Sequence, residues 1–399
     1  MGNRNNAGNR VALTDSPARP KKRRKKAKGR IIVMILMVLL LVASVLFMVL
    51  MGRYVYRQIF SGNGEAPESV DLRPYEHTAQ RDQDKVSYYV LGVLGETDES
   101  PLASLMLICH DKQRNALEIM QIPPSTYIDD ESLWGGVHTV GKTFASPRDY
   151  DWCDVCKQRL YENQIQNGKH LTCGTAVSKR TGSAVLSLMS VFNDQLGMPV
   201  DHYFLVPQQA LVKLINLMDD VMITLDREIT VGGLTYNKGN QIVDGDAALY
   251  YMTQAEKPGI QGELLLLERQ RSVLASVLTR LLAQDAAAYN EDTLRPLQRG
   301  STPIRTDLQP DELIEFVLAM QTVKTDRMTL YTMPGGIVTK TAAQYYSADR
   351  ESLLTLLNQA FNPLKSMTLS DLRIPELTDL SEEAAPGRLL TEYLPQEEE

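Results

Sequence analysis

Four cysteines in 399 residues, Cys109, Cys153, Cys156 and Cys173, are too few to staple a fold. The chain must therefore rest on a hydrophobic core, and 43% hydrophobic against 23% charged residues is enough to build one large domain or two ordinary ones. No internal repeat is visible, and the two tryptophans, Trp134 and Trp152, and five histidines are scattered. One absence is decisive. Ile31 to Gly52, "IIVMILMVLLLVASVLFMVLMG", is twenty-two residues without a charge, long enough for a helix to cross the ~30 Å hydrocarbon core of a bilayer. A cleavable signal has a shorter apolar region ending at small residues, whereas this one continues into Arg53-Tyr54-Val55-Tyr56-Arg57. The sequence thus predicts a retained membrane anchor.

Residues 1–30 hold eleven Lys/Arg against Asp15 alone, a balance of +10, with eight of the basic residues in "KKRRKKAKGR" (Lys21 to Arg30). Positive charge beside a span keeps that end cytoplasmic and draws it to anionic lipid. Subtracting +10 from the chain's −7 leaves −17 on residues 53–399. The large domain is expected outside the cell membrane and acidic, which excludes a nucleic-acid binder.

After a linker containing "SGNGEAPES" (Ser61 to Ser69), the periodicity becomes that of a folded domain. "VSYYVLGVL" (Val86 to Leu94), "ASLMLICHD" (Ala103 to Asp111) and the alternating "NALEIMQI" (Asn115 to Ile122) read as strands, with a hairpin turn at Asp111-Lys112-Gln113-Arg114. Helices are expected over Gly182–Gly197, Pro207–Asp220, Gly262–Gln284 and Pro310–Gln321, and strands over Asp201–Val206, Val221–Leu225 and Arg327–Pro334. The alternation implies an α/β fold of mixed α+β type, a mixed β-sheet with helices on both faces.

The stretch "EIMQIPPSTYI" (Glu118 to Ile128) runs from a strand into a loop of the kind that displays chemistry, yet carries no charge there. With its neighbours it resembles the LytR-CpsA-Psr family of bacterial envelope proteins. "SLMLICHDKQRNALEIMQIPPSTYI" is similar to that family's Asp-Thr-Ile-Met-Leu-Val segment followed by Ser-Ile-Pro-Arg-Asp-Thr-Tyr. "LGMPVDHYFLVPQQALVKLINLMDDVMITL" resembles its Gly-Ile-x-Ile-Asp-x-Tyr run. "KGNQIVDGDAALYYMTQAEKPGIQGELLLLERQRSVLASVL" resembles its Gly-x-x-x-Leu-x-Gly-x-x-Ala-Leu-x-Tyr run closing in Gly-Asp-x-x-Arg-x-x-Arg-Gln. The resemblance implies a basic arm (1–30), a transmembrane helix (31–52), a linker (53–83), a family domain (84–285) with a cysteine-bearing insertion (150–179), a C-terminal extension packing on it (286–375) and an acidic tail (376–399).

It also implies transfer of a glycopolymer phosphate from a polyprenyl diphosphate to peptidoglycan with Mg²⁺. A diphosphate calls for arginine forks, and the metal or the proton for carboxylates. Those groups are mostly absent. The family's aspartates fall on Ala103 and near Leu94, where Glu96, Asp98 or Glu99 offers a shifted alternative; its Arg-Asp falls on Pro124-Ser125, its Arg-x-Arg on Thr253 and Ala255, and its Gly-Gly on Asp219-Asp220. In the closing segment Asp is Glu263, the first Arg is Leu266, and Arg269-Gln270 stand unchanged. Losing several such groups, where an oxyanion-type donor is worth roughly 2.7–4 kcal/mol and an arginine on a transferring phosphate about 10³–10⁵ in rate, is expected to abolish ordinary turnover.

Three functional readings follow: a tethered member that binds a polyprenyl-linked or wall glycan without transferring it, through Thr126, Tyr127 and the positions just named; a transferase with a displaced cation set; and a protein adaptor. For the transferase, Lys257, Arg269 and Arg271 are candidate cations and Glu263 a candidate acid or metal ligand, against the plainer alternative of a charged helix face. Magnesium belongs only to the catalytic reading. The apolar runs "YYVLGVL", "SLMLI" and "GELLLL" are expected to line a cavity suited to a lipid chain. His138 and His170 are weak candidates for a base. Cys153-x2-Cys156-x13-His170-x2-Cys173 fits a disulfide, free thiols or a three-thiolate, one-imidazole metal site. The insertion, flanked by Trp134 and Trp152, is expected to roof the pocket.

Overall fold

The computed structural model describes residues 82, 84–97, 100–128, 139–144, 150–156, 158–160, 164–180, 184–283, 303–340, 343–361, 364–377 and 387–395, all within the unit Glu65–Glu399. The expected anchor, Asp98, Glu99, Trp134 and His138 lie outside them. Among the described residues no helix is long and apolar enough to cross a membrane.

The centre is a hairpin pair: β1 (Val86–Thr97), β2 (Ser100–Asp111) and β3 (Ala116–Gln121) run antiparallel in sequence order. The turn between β2 and β3 is fixed by Asp111, whose carboxylate accepts from the backbone of Gln113 (2.9 Å) and Arg114 (3.0 Å) and from Arg114 Nε (2.6 Å). Such an Asx arrangement satisfies turn N–H groups that no strand can reach. Strand β9 (His202–Val206) joins β1 in parallel, and β14 (Arg305–Thr306) closes that edge. At the other edge β15 (Met328–Thr332) joins β3 in parallel and β18 (Arg388–Leu389) joins β15 antiparallel. The result is a mixed seven-stranded sheet, β14-β9-β1-β2-β3-β15-β18.

Alternation assigns the two faces. Tyr88, Val90, Leu105, Leu107 and Met120 point to one side and pack with helix α2 (Ala184–Ser190), its continuation as a π-turn (Val191–Gln195), and helix α7 (Arg350–Leu356). Tyr88 also donates its hydroxyl to Phe361 O at 2.6 Å. Tyr89, Val93, Phe204, Met106 and Ile119 point to the other, under α3 (Gln208–Leu217), α4 (Gly245–Thr253), α5 (Gly259–Ala283) and α6 (Pro310–Met320). Helices cover both faces, as the sequence predicts.

The insertion forms its own small structures. A three-stranded sheet is built from β4 (Tyr150–Cys153), β5 (Gln158–Leu160) and β8 (Ser178–Arg180), beside a hairpin of β6 (Ile165–Gln166) and β7 (Lys169–His170). Trp152 lies on β4, paired with Arg159 and Ser178.

Candidate functional site

The loop after β3 is knitted into its neighbours. Pro124 O accepts from Gly141 N at 2.8 Å and Thr126 O from Val140 N at 2.9 Å, in the short helix α1 (Val140–Thr143). Tyr346, on β17 (Ala343–Ala348), brackets the loop by donating its N–H to Ser125 O (3.1 Å) and accepting from Tyr127 N (2.8 Å). Thr126 and Tyr127 are buried: the Thr126 hydroxyl turns back to Pro123 O at 2.6 Å, and Tyr127 stacks edge-on against Tyr345 and meets Lys340 at its hydroxyl. Both hold the loop's shape from within.

Facing the loop is the start of α5. Glu263 Oε1 accepts from Ser125 N (3.1 Å) and Ser125 Oγ (2.8 Å), and burial pushes its carboxyl above the usual range. The preceding residue has to be glycine, since a Cβ at Gly262 would lie 1.8 Å from Lys257 O. Gly245 is constrained likewise: its Cβ would fall 2.4 Å from Val212 O, where α4 crosses α3. Two glycines of the family-like motifs thus answer to backbone contacts.

Gln270 is 2% exposed and joins three elements. Its Nε2 donates to Ala103 O (2.9 Å) and Met252 O (3.2 Å), and its Oε1 accepts from Gln121 Nε2 (2.9 Å). Arg271 extends the network through Nη1 to Gln121 Oε1 (2.9 Å) and Thr332 Oγ1 (2.6 Å), and through Nη2 to Glu268 (2.9 Å). Ala103, Ser125, Glu263 and Gln270 are therefore gathered at one end of the sheet.

Arg269 is directed elsewhere. Residues two apart on a helix do not face one another, and Arg269 turns away from Arg271 onto Asp226 (Nε 3.0 Å, Nη2 2.9 Å), Glu256 (2.7 Å) and Gln254 O (3.3 Å), with its guanidinium 5.1 Å over the Tyr251 ring. It is 5% exposed. Both arginines of this charged helix face are buried in ion pairs. They do not form a common cationic cluster. Lys257 and Ala255 are exposed in the turn before α5, Thr253 returns its hydroxyl to Leu249 O at 2.7 Å, and Leu266 is half-buried.

A cavity of about 570 Å³ opens beside α5, lined by Asp226, Tyr251, Leu265, Arg269, Arg388 and Tyr393 among others. Its cations are neutralised: Arg269 as above, Arg388 by Glu268 at 3.2 Å and Glu392 at 3.6 Å. Of the apolar runs expected to line a lipid cavity, only Leu265 borders this one. A divalent magnesium prefers several oxygens in an octahedron. Here Ala103 and Leu94 offer no side-chain oxygen, Ala103 O already accepts from Gln270, and Oε1 of Glu263 receives two donors, so these residues do not fit the ion.

Sequence reasoning missed Gln121 at the end of β3, Asp226 just after β10 (Val221–Leu225), Glu256 in the turn before α5, Glu268 on α5 and Thr332 at the end of β15. One register signal stands out: Asp219 and Asp220, at the family's Gly-Gly, have φ of 58° and 66°, the left-handed region glycine favours. In the insertion the four candidates Cys153, Cys156, His170 and Cys173 come together, their ligand atoms all within 4.8 Å of one another. Cys109 sits in the core of the main sheet, and all four cysteines are unpaired.

The model of the LytR_cpsA_psr family matches residues 172–362. Over that segment the chain is similar to the LytR-CpsA-Psr family. Among curated relatives, the polyisoprenyl-teichoic acid–peptidoglycan teichoic acid transferase TagU of Bacillus mycoides (strain KBAB4) is 25% identical over 121 residues, 30% of this chain and 38% of that protein. TagU of Bacillus anthracis (strain A0248) is 25% identical over 135 residues, 34% and 43% of the two chains. The matches thus span about two fifths of these relatives. Among solved structures, B. subtilis TagV aligns with a TM-score of 0.50 at 14% identity, covering 69% of this chain and 95% of that one. Protein gbs0355 from Streptococcus agalactiae aligns at 0.51 and 17%, covering 75% and 92%. These two likenesses establish the fold.

Proposed function

We propose that this protein is a membrane-anchored, extracytoplasmic LytR-CpsA-Psr member of the cell-envelope machinery that holds a polyprenyl-linked or wall glycan without transferring it. The observation that carries the reading is Arg269. It is the one arginine of the family pattern left in register, and it is 5% exposed with its guanidinium shared by Asp226, Glu256 and Gln254 O. An arginine so saturated has few donors left for phosphate oxygens. The other expected cation positions are Leu266, Thr253, Ala255 and Pro124, none of which carries charge. The relatives' names point to the ligand class, a polyisoprenyl-linked teichoic acid and peptidoglycan. The uncharged span 31–52 and the basic arm before it support a single-pass anchor with the N-terminus inside.

The rival reading, a transferase with a displaced cation set, requires Arg269 to leave its carboxylates or Arg388 to leave Glu268 and Glu392. The deciding experiment gives the full chain, in detergent, a polyprenyl-diphosphate-linked glycan with Mg²⁺ and a peptidoglycan acceptor. Binding without formation of polyprenyl monophosphate is expected. Turnover that disappears in Arg269→Ala would overturn the proposal, as would absence of binding. For the topology, protease applied to wall-stripped cells should remove residues beyond about 60 and spare the N-terminal arm.

A further inference from the structure

We infer that the insertion carries a structural zinc site, with Cys153, Cys156, His170 and Cys173 as its four ligands. The ligands come in two local pairs of identical spacing. Cys153 ends β4 and Cys156 lies three residues on in the following turn; His170 ends β7 and Cys173 lies three residues on in the turn after that strand. In the first pair Cys156 N–H donates to Cys153 Sγ at 3.4 Å, a contact that lowers the charge on a thiolate and sets the turn to present both sulfurs to one point. In the second, Gly174 N–H reaches back to His170 O at 2.8 Å with Gly174 at φ 69°, which wraps the chain tightly enough to bring Cys173 beside the imidazole.

Three of the ligand-to-ligand distances are close to those of one coordination shell, and all four ligand atoms lie within 4.8 Å of one another. Cys153 Sγ lies 3.4 Å from Cys173 Sγ, and His170 Nδ1 lies 3.5 Å from Cys156 Sγ and 3.3 Å from Cys173 Sγ. A tetrahedral zinc with Zn–S near 2.3 Å and Zn–N near 2.0–2.1 Å separates its sulfurs by about 3.8 Å and sulfur from nitrogen by about 3.5 Å. Mutual hydrogen bonding gives three sulfurs and one ring nitrogen little reason to converge, since a thiol is a weak donor and a weak acceptor. Four protein ligands close the shell, so the site is one that fastens structure and leaves no position for substrate.

The insertion needs such a fastening. Its strands are 4, 3, 2, 2 and 3 residues long, too short to persist as isolated ribbons. Cys153 and His170 are fully buried within it, while Cys156 is half-buried and Cys173 exposed. The insertion leaves the fold after α1, which holds Pro124 and Thr126, and returns at α2. Zinc therefore fixes a segment that begins directly behind the candidate site's loop. The metal enters as Zn²⁺ with release of thiol protons; no electron is transferred.

The test is made on the full chain purified in detergent from zinc-supplemented cells without added reductant. One zinc per chain is expected, with Cys153, Cys156 and Cys173 protected from alkylation until a chelator and denaturant are added together. Cys153→Ser and Cys156→Ser should lose the metal, and Cys109→Ser should keep it. Because the ligand variants can also lose the insertion's fold, a second reading uses the unaltered protein: cobalt exchanged for zinc should give thiolate-to-metal charge transfer with intense tetrahedral ligand-field bands. A weak octahedral spectrum, zinc retained in both variants, or metal-free protein lighter by two hydrogens through a disulfide would each overturn the inference.

Discussion

Ser125 gives both of its donors to a single oxygen of Glu263: its backbone N–H at 3.1 Å and its hydroxyl at 2.8 Å. The contact ties the loop after β3 to the start of α5, the two segments where the family pattern calls for charged groups. The carboxylate acts as a clasp between them. Its burial makes the charged form costly, which is why the carboxyl is pushed up despite two hydrogen bonds that favour ionisation.

Glu263→Gln should therefore fold as well as the native protein, because the amide oxygen still accepts both bonds, whereas Glu263→Ala leaves two donors unsatisfied and should cost about 1–3 kcal/mol. The sign of the pH dependence follows from linkage. A carboxyl raised in the folded state holds its proton there after the unfolded chain has lost it, so the native protein loses stability as pH rises from 4.5 through the folded value. Denaturant titrations should show the Gln variant gaining on wild type across that window. A constant gap would show that burial does not govern this group.

Arg269→Ala should destabilise by about 2–4 kcal/mol, toward the lower end of what breaking a buried ion pair costs, because Asp226 and Glu256 are 53% and 43% exposed and water can take over part of the role. Arg269→Lys should recover less than half of that loss, since an ammonium cannot span Asp226, Glu256 and the Gln254 carbonyl at once. Chemical denaturation of the three proteins measures both differences.

These clasps also mark where sequence reading stops. The sheet was legible because Ala116–Gln121 alternates between two covered faces, and α5 because a twenty-five-residue run keeps its helical stripe. The helix expected over Gly182–Gly197 was legible too, but the π winding of its last turn, Val191–Gln195, was not, because every one of those residues is buried and the spacing does not register the change. Arg269-Gln270 could be found by their spacing, but the partners that define their role could not. Asp226 is 43 residues away and Gln121 lies 149 residues before Gln270. The four sulfur and nitrogen ligands were legible for the opposite reason, since each pair is local.

Asp219 and Asp220 both occupy the left-handed region, which costs a side-chain-bearing residue roughly 1–2 kcal/mol, while glycine gives back about 0.5–1 kcal/mol through its freer unfolded chain. Glycine at both positions should accordingly stabilise the protein by about 1 kcal/mol or a little more and raise the melting temperature. A fall would mean that the two carboxylates make contacts that outweigh the backbone.

His202 sits at the outer end of β9 with Nδ1 2.8 Å from Asp307 Oδ2, and this bond raises its pKa above the ordinary 6.5. A histidine raised in the folded state stabilises fully below its unfolded value and ceases to do so as pH climbs through the folded one. Asp307→Asn should return His202 towards ordinary titration, followed by NMR, and abolish the stability it adds at pH below 6.5. The bond that Asp307 Oδ1 accepts from Tyr203 N at 3.1 Å should persist, because the asparagine amide oxygen still accepts it.

Gln270 offers the sharpest separation of a structural from a ligand-binding role. Its amide nitrogen donates to Ala103 O on β2 and Met252 O on α4, and its oxygen receives Gln121, so all three contacts are internal. Gln270→Glu is nearly isosteric but removes the donor and sets a carboxylate against two carbonyl oxygens in a site 2% exposed. Desolvating that charge without a partner should cost more than about 3 kcal/mol at neutral pH. Protonation supplies the missing O–H donor, so the Glu variant should recover stability as the solution is acidified, while Gln270→Ala should be equally destabilised, by about 1–3 kcal/mol, at both ends of the range. Melting curves from pH 5 to 8 would show the two lines converging on the acid side. A Glu variant as stable as wild type at neutral pH would place Gln270 in an open, solvated pocket and return it to the candidate ligand-binding surface.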